Sequence, residues 1–264
     1  MKKRLLSALV ILLLFILFYI LGGNYFIFAD AIISLLAYKE IVELNTFKDM
    51  PNIIKIIGLI SMLMLLFIMT YHYIYMLAIP YFLIALIYLL LLIPTLFKVI
   101  NKNYSINLAL TFIGLIIFLG IGFSSFNFFM LTNKMQFLFV IIITILNDTF
   151  AYLIGSLIGK THFTDISPKK TMEGLVAGDI MGLVGGTIIY HFFIGPNVPL
   201  LKVVFYCLLL NLGSQIGDLL FSKIKRENNI KDFSNLIPGH GGILDRLDSL
   251  LITSLIYVMI IFMG

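Results

Sequence analysis

Long apolar runs separated by short polar stretches set the pattern of the chain, and they fall at residues 5 to 22, 25 to 44, 53 to 70, 75 to 97, 106 to 124, 136 to 158, 174 to 194, 200 to 222 and 247 to 263. Each can cross a hydrocarbon core of ~30 Å as a helix, so the pattern predicts an all-α polytopic membrane protein with about nine transmembrane helices. The first five runs are rich in Leu, Ile and Phe and carry few ionisable groups. Asp30 stands out, about one turn inside the outer end of its helix, where a carboxylate can reach headgroup water and serve a structural purpose. Tyr71, Tyr73 and Tyr75 beside His72 read as interfacial anchors in a chain without tryptophan. From the sixth run onward polar residues gather in stripes. Thr144, Asn147, Asp148, Ala151, Tyr152 and Gly155 share one helix face, and Asn211, Gln215, Asp218 and Ser222 form a second stripe. Gly174, Gly178, Gly182 and Gly186 strip side chains from one face and let another backbone approach, with Asp179 beside them.

Composition agrees: of 264 residues 61% are hydrophobic and 12% charged, too few polar groups to cover a water-facing surface. One cysteine, Cys207, excludes an internal disulfide, and four scattered histidines exclude a zinc cluster, so any metal must be held by oxygen. The net charge of +5 could suggest nucleic acid, but its placement argues otherwise. With Met1 in the cytoplasm, inside segments, including the loop with Lys98 and Lys102, hold 16 of the 18 lysines and arginines; only Lys134 and Lys202 fall outside. The positive excess is thus topological, no nucleic-acid partner is expected, and the C-terminus is expected outside. Lys2-Lys3-Arg4, the first run and Ala29-Asp30-Ala31 also have the form of a signal peptide, yet the run is long for one and the charge asymmetry works with it retained. The organisation expected is a single membrane-embedded domain over residues 1–264, with apolar helices over 1–135 and catalytic helices and cytoplasmic loops over 136–264.

Two cytoplasmic loops concentrate the chemistry. In the first, Ser167-Pro168-Lys169-Lys170-Thr171-Met172-Glu173-Gly174 combines a Ser/Thr-before-Glu helix start with two lysines near the positive helix end, a setting for a phosphate. The second begins at Ser222-Lys223-Ile224-Lys225-Arg226 and continues through Lys231-Asp232 and Pro238-Gly239-His240-Gly241-Gly242 to Asp245-Arg246-Leu247-Asp248. Its glycines make a backbone able to wrap an anion with N–H groups, its cations suit a polyphosphate, and Asp218 and Asp245 bracket it as hard oxygen ligands. A polyanion with Mg²⁺ is the natural ligand. His240 reads as a proton carrier or phosphate donor, or equally as a loop-structuring hydrogen bonder.

Residues 222 to 248 resemble the signature of the phosphatidate cytidylyltransferases (CDP-diacylglycerol synthases), S-x-apolar-K-R-x4-K-D-x-small-x2-apolar-P-x-H-G-G-apolar-x-D-R-apolar-D, at every specified position. Gly217-Asp218-Leu219 and Ser167 to Gly174 resemble two further family motifs, and Asp148-Thr149-Phe150-Ala151-Tyr152 with Gly155, Gly159 and Lys160 is similar to another. Met172, Phe150 and Ser156 stand where the family has tryptophan, glycine and arginine. The resemblance implies an Mg²⁺-dependent nucleotidyltransferase of a bacterial cytoplasmic (inner) membrane, its site in the cytoplasmic half of the C-terminal helices, making CDP-diacylglycerol and pyrophosphate from CTP and phosphatidate in the bilayer. It assigns Asp218, Asp245 and Asp148 to the metal, Lys225, Arg226, Lys231 and Arg246 to the triphosphate, and Lys169 and Lys170, with Ser167 and Thr171, to the lipid phosphate. His240, Gly241 and Gly242 fall on the substrate side, and Asp232 and Asp248 ligate metal or orient these cations. A CTP-dependent polyprenol kinase and a transporter of an anionic lipid or nucleotide are the alternatives, and a homodimer is left open.

Overall fold

The computed structural model describes residues 2–75, 80–97 and 103–263. Met1, Lys98, Lys102 and Gly264 lie outside the described residues, as do the side chains of Lys2, Lys3, Arg4, His72, Tyr73 and Tyr75 on which the charge count and aromatic belt drew. Among the described residues the chain is helical: α1 (Lys2–Leu21), α2 (Gly23–Val42), α3 (Asn52–Tyr75), α4 (Pro80–Leu92) running into a 3₁₀ turn (Ile93–Leu96), α5 (Ile106–Thr132), α6 (Lys134–Ile158), α7 (Met172–Phe193), α8 (Leu200–Glu227) and α9 (Leu244–Met263). A backbone in hydrocarbon must satisfy its own N–H and C=O groups, which is why continuous apolar runs fold this way. Among the described residues six helices are long and apolar enough to cross a membrane: α3 as far as Tyr71, then α5 through α9. Ser7–Leu21 and Phe82–Leu96 are shorter apolar helical stretches. This is the make-up of a polytopic integral membrane protein. Several helices outrun their apolar segments. α5 continues to Thr132, α8 to Glu227, and α9 begins at Leu244, so the second loop shortens to residues 228–243.

The residues group into two compact units, Met1–Thr132 with Asn228–Leu244 and Asn133–Glu227 with Asp245–Gly264. In the first, Phe112 of α5 packs against Tyr38 of α2 and against Phe47, with ring centroids 6.4 and 5.4 Å away. Gly120 lets α5 meet α3, since a Cβ there would lie 2.6 Å from the Cβ of Leu65. Asp30 departs from expectation: it is 3% exposed, and its Oδ2 and the Oδ1 of Asn127 are buried without hydrogen-bond partners. Packing of α2 within this unit, rather than contact with headgroup water, surrounds that carboxylate.

In the second unit the glycine stripe of α7 lies against α6 and α8. A Cβ at Gly174 would meet the carbonyl oxygen of Ala151 at 2.5 Å, one at Gly178 the carbonyl of Asn147 at 2.6 Å, and one at Gly186 the Sγ of Cys207 at 2.9 Å. The stripe is a packing surface, as its spacing suggests. Phe139 of α6 stacks edge-on with Tyr190 of α7 and Tyr257 of α9, at 5.3 and 5.2 Å, closing the opposite end of this bundle from the polar residues.

Candidate functional site

Within the second unit a cavity of about 290 Å³ collects the polar stripes. Asn147, Asp148 and Tyr152 reach it from α6, Ser167, Lys169, Lys170 and Thr171 from the 159–171 loop, Gln215 and Asp218 from α8, and Asp245, Asp248 and Ser249 from α9. Four carboxylates and two lysines thus line one space. A larger hollow of about 570 Å³ at the start of α8, lined by Pro199, Leu201, Lys202, Val204, Phe205 and Leu208, is apolar apart from Lys202 and offers no comparable chemistry.

Local structure explains how each group arrives. The 159–171 loop is tied to the start of α7 twice. The Glu173 carboxylate accepts from the Thr161 N–H at 3.1 Å and the Thr161 hydroxyl at 2.8 Å, and the Thr171 hydroxyl accepts the Gly174 N–H as the helix N-cap. A short bridge pairs His162 with Thr171. Lys170 is therefore presented from a fixed backbone, and its ammonium lies 2.6 Å from Asp218 Oδ2. Ser222, one turn on, donates to Asp218 Oδ1 at 3.3 Å. A Cβ at Gly217 would lie 2.7 Å from the carbonyl oxygen of Asp248, so α8 and α9 touch backbone to backbone where Asp218 and Asp248 face the cavity. Lys225 reaches from α8 to Asp245 Oδ1 at 2.7 Å, and this pair is nearly buried, the side chains being 12% and 4% exposed. The Ser214 hydroxyl donates to Asp148 at 3.3 Å. Asp179 sits just off this lining, holding Gln215 at 2.7 Å and Asn147 at 3.2 Å.

Of the residues singled out in the sequence, Asp148, Asp218, Asp245, Asp248, Ser167, Lys169, Lys170 and Thr171 meet on this cavity, and Lys225 joins them through Asp245. Arg226 and Arg246 are exposed in the same unit and do not line it. Lys231, Asp232, His240, Gly241 and Gly242 belong to the first unit. Among the described residues no group of three or more His, Cys, Asp or Glu stands ready to hold a metal ion, and Asp218 and Asp245 each hold a lysine ammonium. The donor chemistry still fits a hard cation, since four carboxylates on one cavity supply only oxygen.

The 228–243 loop is arranged differently from a simple anion cradle. Ile237-Pro238-Gly239-His240 is a tight turn, with the His240 N–H donating to the Ile237 carbonyl at 2.9 Å and Gly239 at φ 79°, a conformation that favours glycine. The N–H of Ile237 returns to the Gly241 carbonyl at 2.8 Å. The N–H groups of Ile243 and Leu244 both donate at 2.8 Å to Glu40 of α2. Of the stretch expected to wrap an anion the His240 N–H is committed to this turn, and just beyond it the Ile243 and Leu244 N–H groups are held by a carboxylate of this chain. His240 gains the loop-structuring partner that was one of its two readings, Nδ1 lying 2.9 Å from the Ser7 hydroxyl. Glu40 itself escaped the sequence reading, which treated Asp30 as the exception among the first five runs. The available signal was a carboxylate inside an apolar run, which demands partners.

A model of the "Cytidylyltransferase family" matches residues 2–263. Proteins named phosphatidate cytidylyltransferase are similar to the chain over 94% of its length and 94% of theirs: that of Staphylococcus haemolyticus at 32% identity, that of Staphylococcus saprophyticus at 33% and that of Staphylococcus aureus at 32%. The resemblance read from residues 222 to 248 therefore extends over nearly the whole chain.

Proposed function

The chain belongs to the cytidylyltransferase family, and we propose that it transfers CMP from CTP to phosphatidate, releasing pyrophosphate and forming CDP-diacylglycerol. The observation that carries this reading is the single cavity in which Lys169 and Lys170 face Asp148, Asp218, Asp245 and Asp248. Such a site suits the meeting of two phosphorylated substrates and a cation.

The chemistry asks little of a general base. The phosphate of phosphatidate is already anionic near neutral pH, so one of its oxygens can form the new bond to the α-phosphorus of CTP while the bond from that phosphorus to the bridging oxygen of the β-phosphate breaks. The leaving pyrophosphate carries the electron pair away. What the protein must supply is alignment and neutralisation of charge. Lys169 and Lys170, with Ser167 and Thr171, hold the lipid phosphate. Lys225, Arg226, Lys231 and Arg246 take the triphosphate, with His240, Gly241 and Gly242 shaping the loop and Asp232 orienting its cations. Asp218, Asp245 and Asp148, with Asp248 on the same cavity, are the residues that would hold Mg²⁺. That ion, when bound, neutralises phosphate charge. Nine spans with Met1 inside put both loops in the cytoplasm of a bacterial inner membrane, where CTP is found, as the placement of lysine and arginine supports.

Purified protein given labelled CTP, phosphatidate and Mg²⁺ tests the reading. The expected products are CDP-diacylglycerol and one pyrophosphate per turnover. CDP with a phosphorylated isoprenoid alcohol would instead establish a lipid kinase, and absence of any covalent product would point to transport.

A further inference from the structure

We infer that the end of α2 is the seat of the 228–243 loop and that Glu40 is its positioning residue, setting the loop's conformation for the nucleotide. Glu40 is 3% exposed in a helix that is otherwise largely apolar. A buried carboxylate is tolerated only where donors compensate its charge. Glu40 has three: the hydroxyl of Ser234 at 2.6 Å and the N–H groups of Ile243 and Leu244 at 2.8 Å each. The last two are the N-terminal donors of α9, which no residue within that helix can satisfy and which favour a negative charge. The fit is reciprocal. A Cβ on Gly242 would collide with the Glu40 carboxylate, although Gly242 is not among the residues with positive φ, so that glycine is there to make room for Glu40.

The other end of the loop rests on the same stretch. The amide of Asn45 donates to the Asn228 carbonyl at 2.7 Å, and the N–H and hydroxyl of Thr46 both donate to Asn228 Oδ1, at 2.9 and 2.7 Å. Asn228 is 5% exposed. Residues 40 to 46 therefore grip both ends of a loop whose tip is closed by its own turn. An amide at position 40 would turn an NH₂ group toward backbone donors, so the negative charge is what the arrangement requires.

What the loop binds rests on the cytidylyltransferase reading; what holds the loop does not. Glu40→Gln and Glu40→Asp are compared with the unaltered protein in detergent, by steady-state kinetics and by limited trypsin cleavage after Lys231, an exposed loop residue, with cleavage after Lys160 as the reference. Loss of charged hydrogen bonding in Glu40→Gln should raise the KM for CTP at least ~10-fold while the KM for phosphatidate stays within ~2-fold. Cleavage after Lys231 should rise at least ~5-fold with cleavage after Lys160 unchanged, and Glu40→Asp should show smaller effects in the same direction. If Glu40→Gln does not survive extraction, Ser234→Ala, which removes one donor only, carries the same comparison. Unchanged CTP KM and unchanged cleavage after Lys231 would overturn the inference. So would a parallel shift in both substrates and both cleavage sites, which is general loosening. An unaltered protein without cytidylyl transfer would sink the functional reading alone, because the cleavage comparison still decides whether Glu40 seats the loop.

Discussion

Lys170 and Asp218 are in direct contact, Nζ to Oδ2 at 2.6 Å, across the span from the 159–171 loop to α8. The proposed chemistry needs the lysine for a phosphate and the carboxylate for a cation, so each holds the other in the position its ligand would take. If Lys170 takes the phosphate and Asp218 the cation, the two bindings are coupled, since drawing Lys170 toward an anion frees Asp218.

Lys170→Met tests that coupling. It should raise the KM for phosphatidate at least ~10-fold, and it should lower the Mg²⁺ concentration giving half-maximal activity, because a competing ammonium is gone. Titration of activity against Mg²⁺ with phosphatidate held well below its KM, where Lys170 still rests on Asp218, measures the second effect. A half-saturating Mg²⁺ level equal to that of the unaltered protein would remove Lys170 as a competitor.

Asp218→Asn and Asp245→Asn should each lower turnover at least ~100-fold, if neutralisation of phosphate charge by the metal is worth several kcal/mol. Their stabilities should diverge. Asp245→Asn removes the carboxylate in contact with the nearly buried Lys225 and should cost about 3 kcal/mol, whereas Asp218 is 32% exposed and its loss should cost much less. Asp30→Asn, in the other unit, should leave turnover within ~2-fold of the unaltered protein. Thermal unfolding in detergent alongside the assay separates the two losses. Near-normal turnover in well-folded Asp218→Asn and Asp245→Asn would end the metal assignment.

Sidedness is tested with single cysteines in a Cys207→Ala background. Position 165 suits this, its side chain being fully exposed, and so does exposed Asn235. Asn229 is a poorer choice, because its φ of 56° strains a cysteine. Both cysteines should resist an impermeant thiol reagent added to intact cells and react after lysis. Labelling from outside would reverse the orientation.

Glycine replacements should discriminate packing from mere composition. Gly178→Ala pushes a Cβ to 2.6 Å from the Asn147 carbonyl oxygen, a rigid neighbour, and should cost about 1–3 kcal/mol. Gly114→Ala, with nothing within 4 Å of its Cβ, should be neutral or raise stability by up to ~1 kcal/mol through helix propensity. Equal melting temperatures for the two variants would contradict the close approach of α6 and α7.

Much of this protein was legible in one dimension. Hydropathy is summed locally, and a backbone in hydrocarbon has few alternatives to a helix, so runs such as 174 to 194 and 200 to 222 appear as α7 and α8 with only their ends displaced. Residues 222 to 248 marked the family, because its signature sets particular residue types at fixed spacing. Asp148 and Asp218 were recognisable for a related reason, that polar groups on apolar helices require partners, and Lys169 and Lys170 because two lysines stand just before a helix start. The identity of those partners was decided only by the tertiary structure. That Asp218 meets Lys170, that Asp245 meets Lys225, and that Glu40 holds an N–H group 203 positions away are facts about helices brought side by side. Periodicity reports which face of a helix is polar, but not which neighbour that face meets. Donors near Gly242 therefore looked available to a ligand, whereas the folded chain had already turned a carboxylate of α2 toward them.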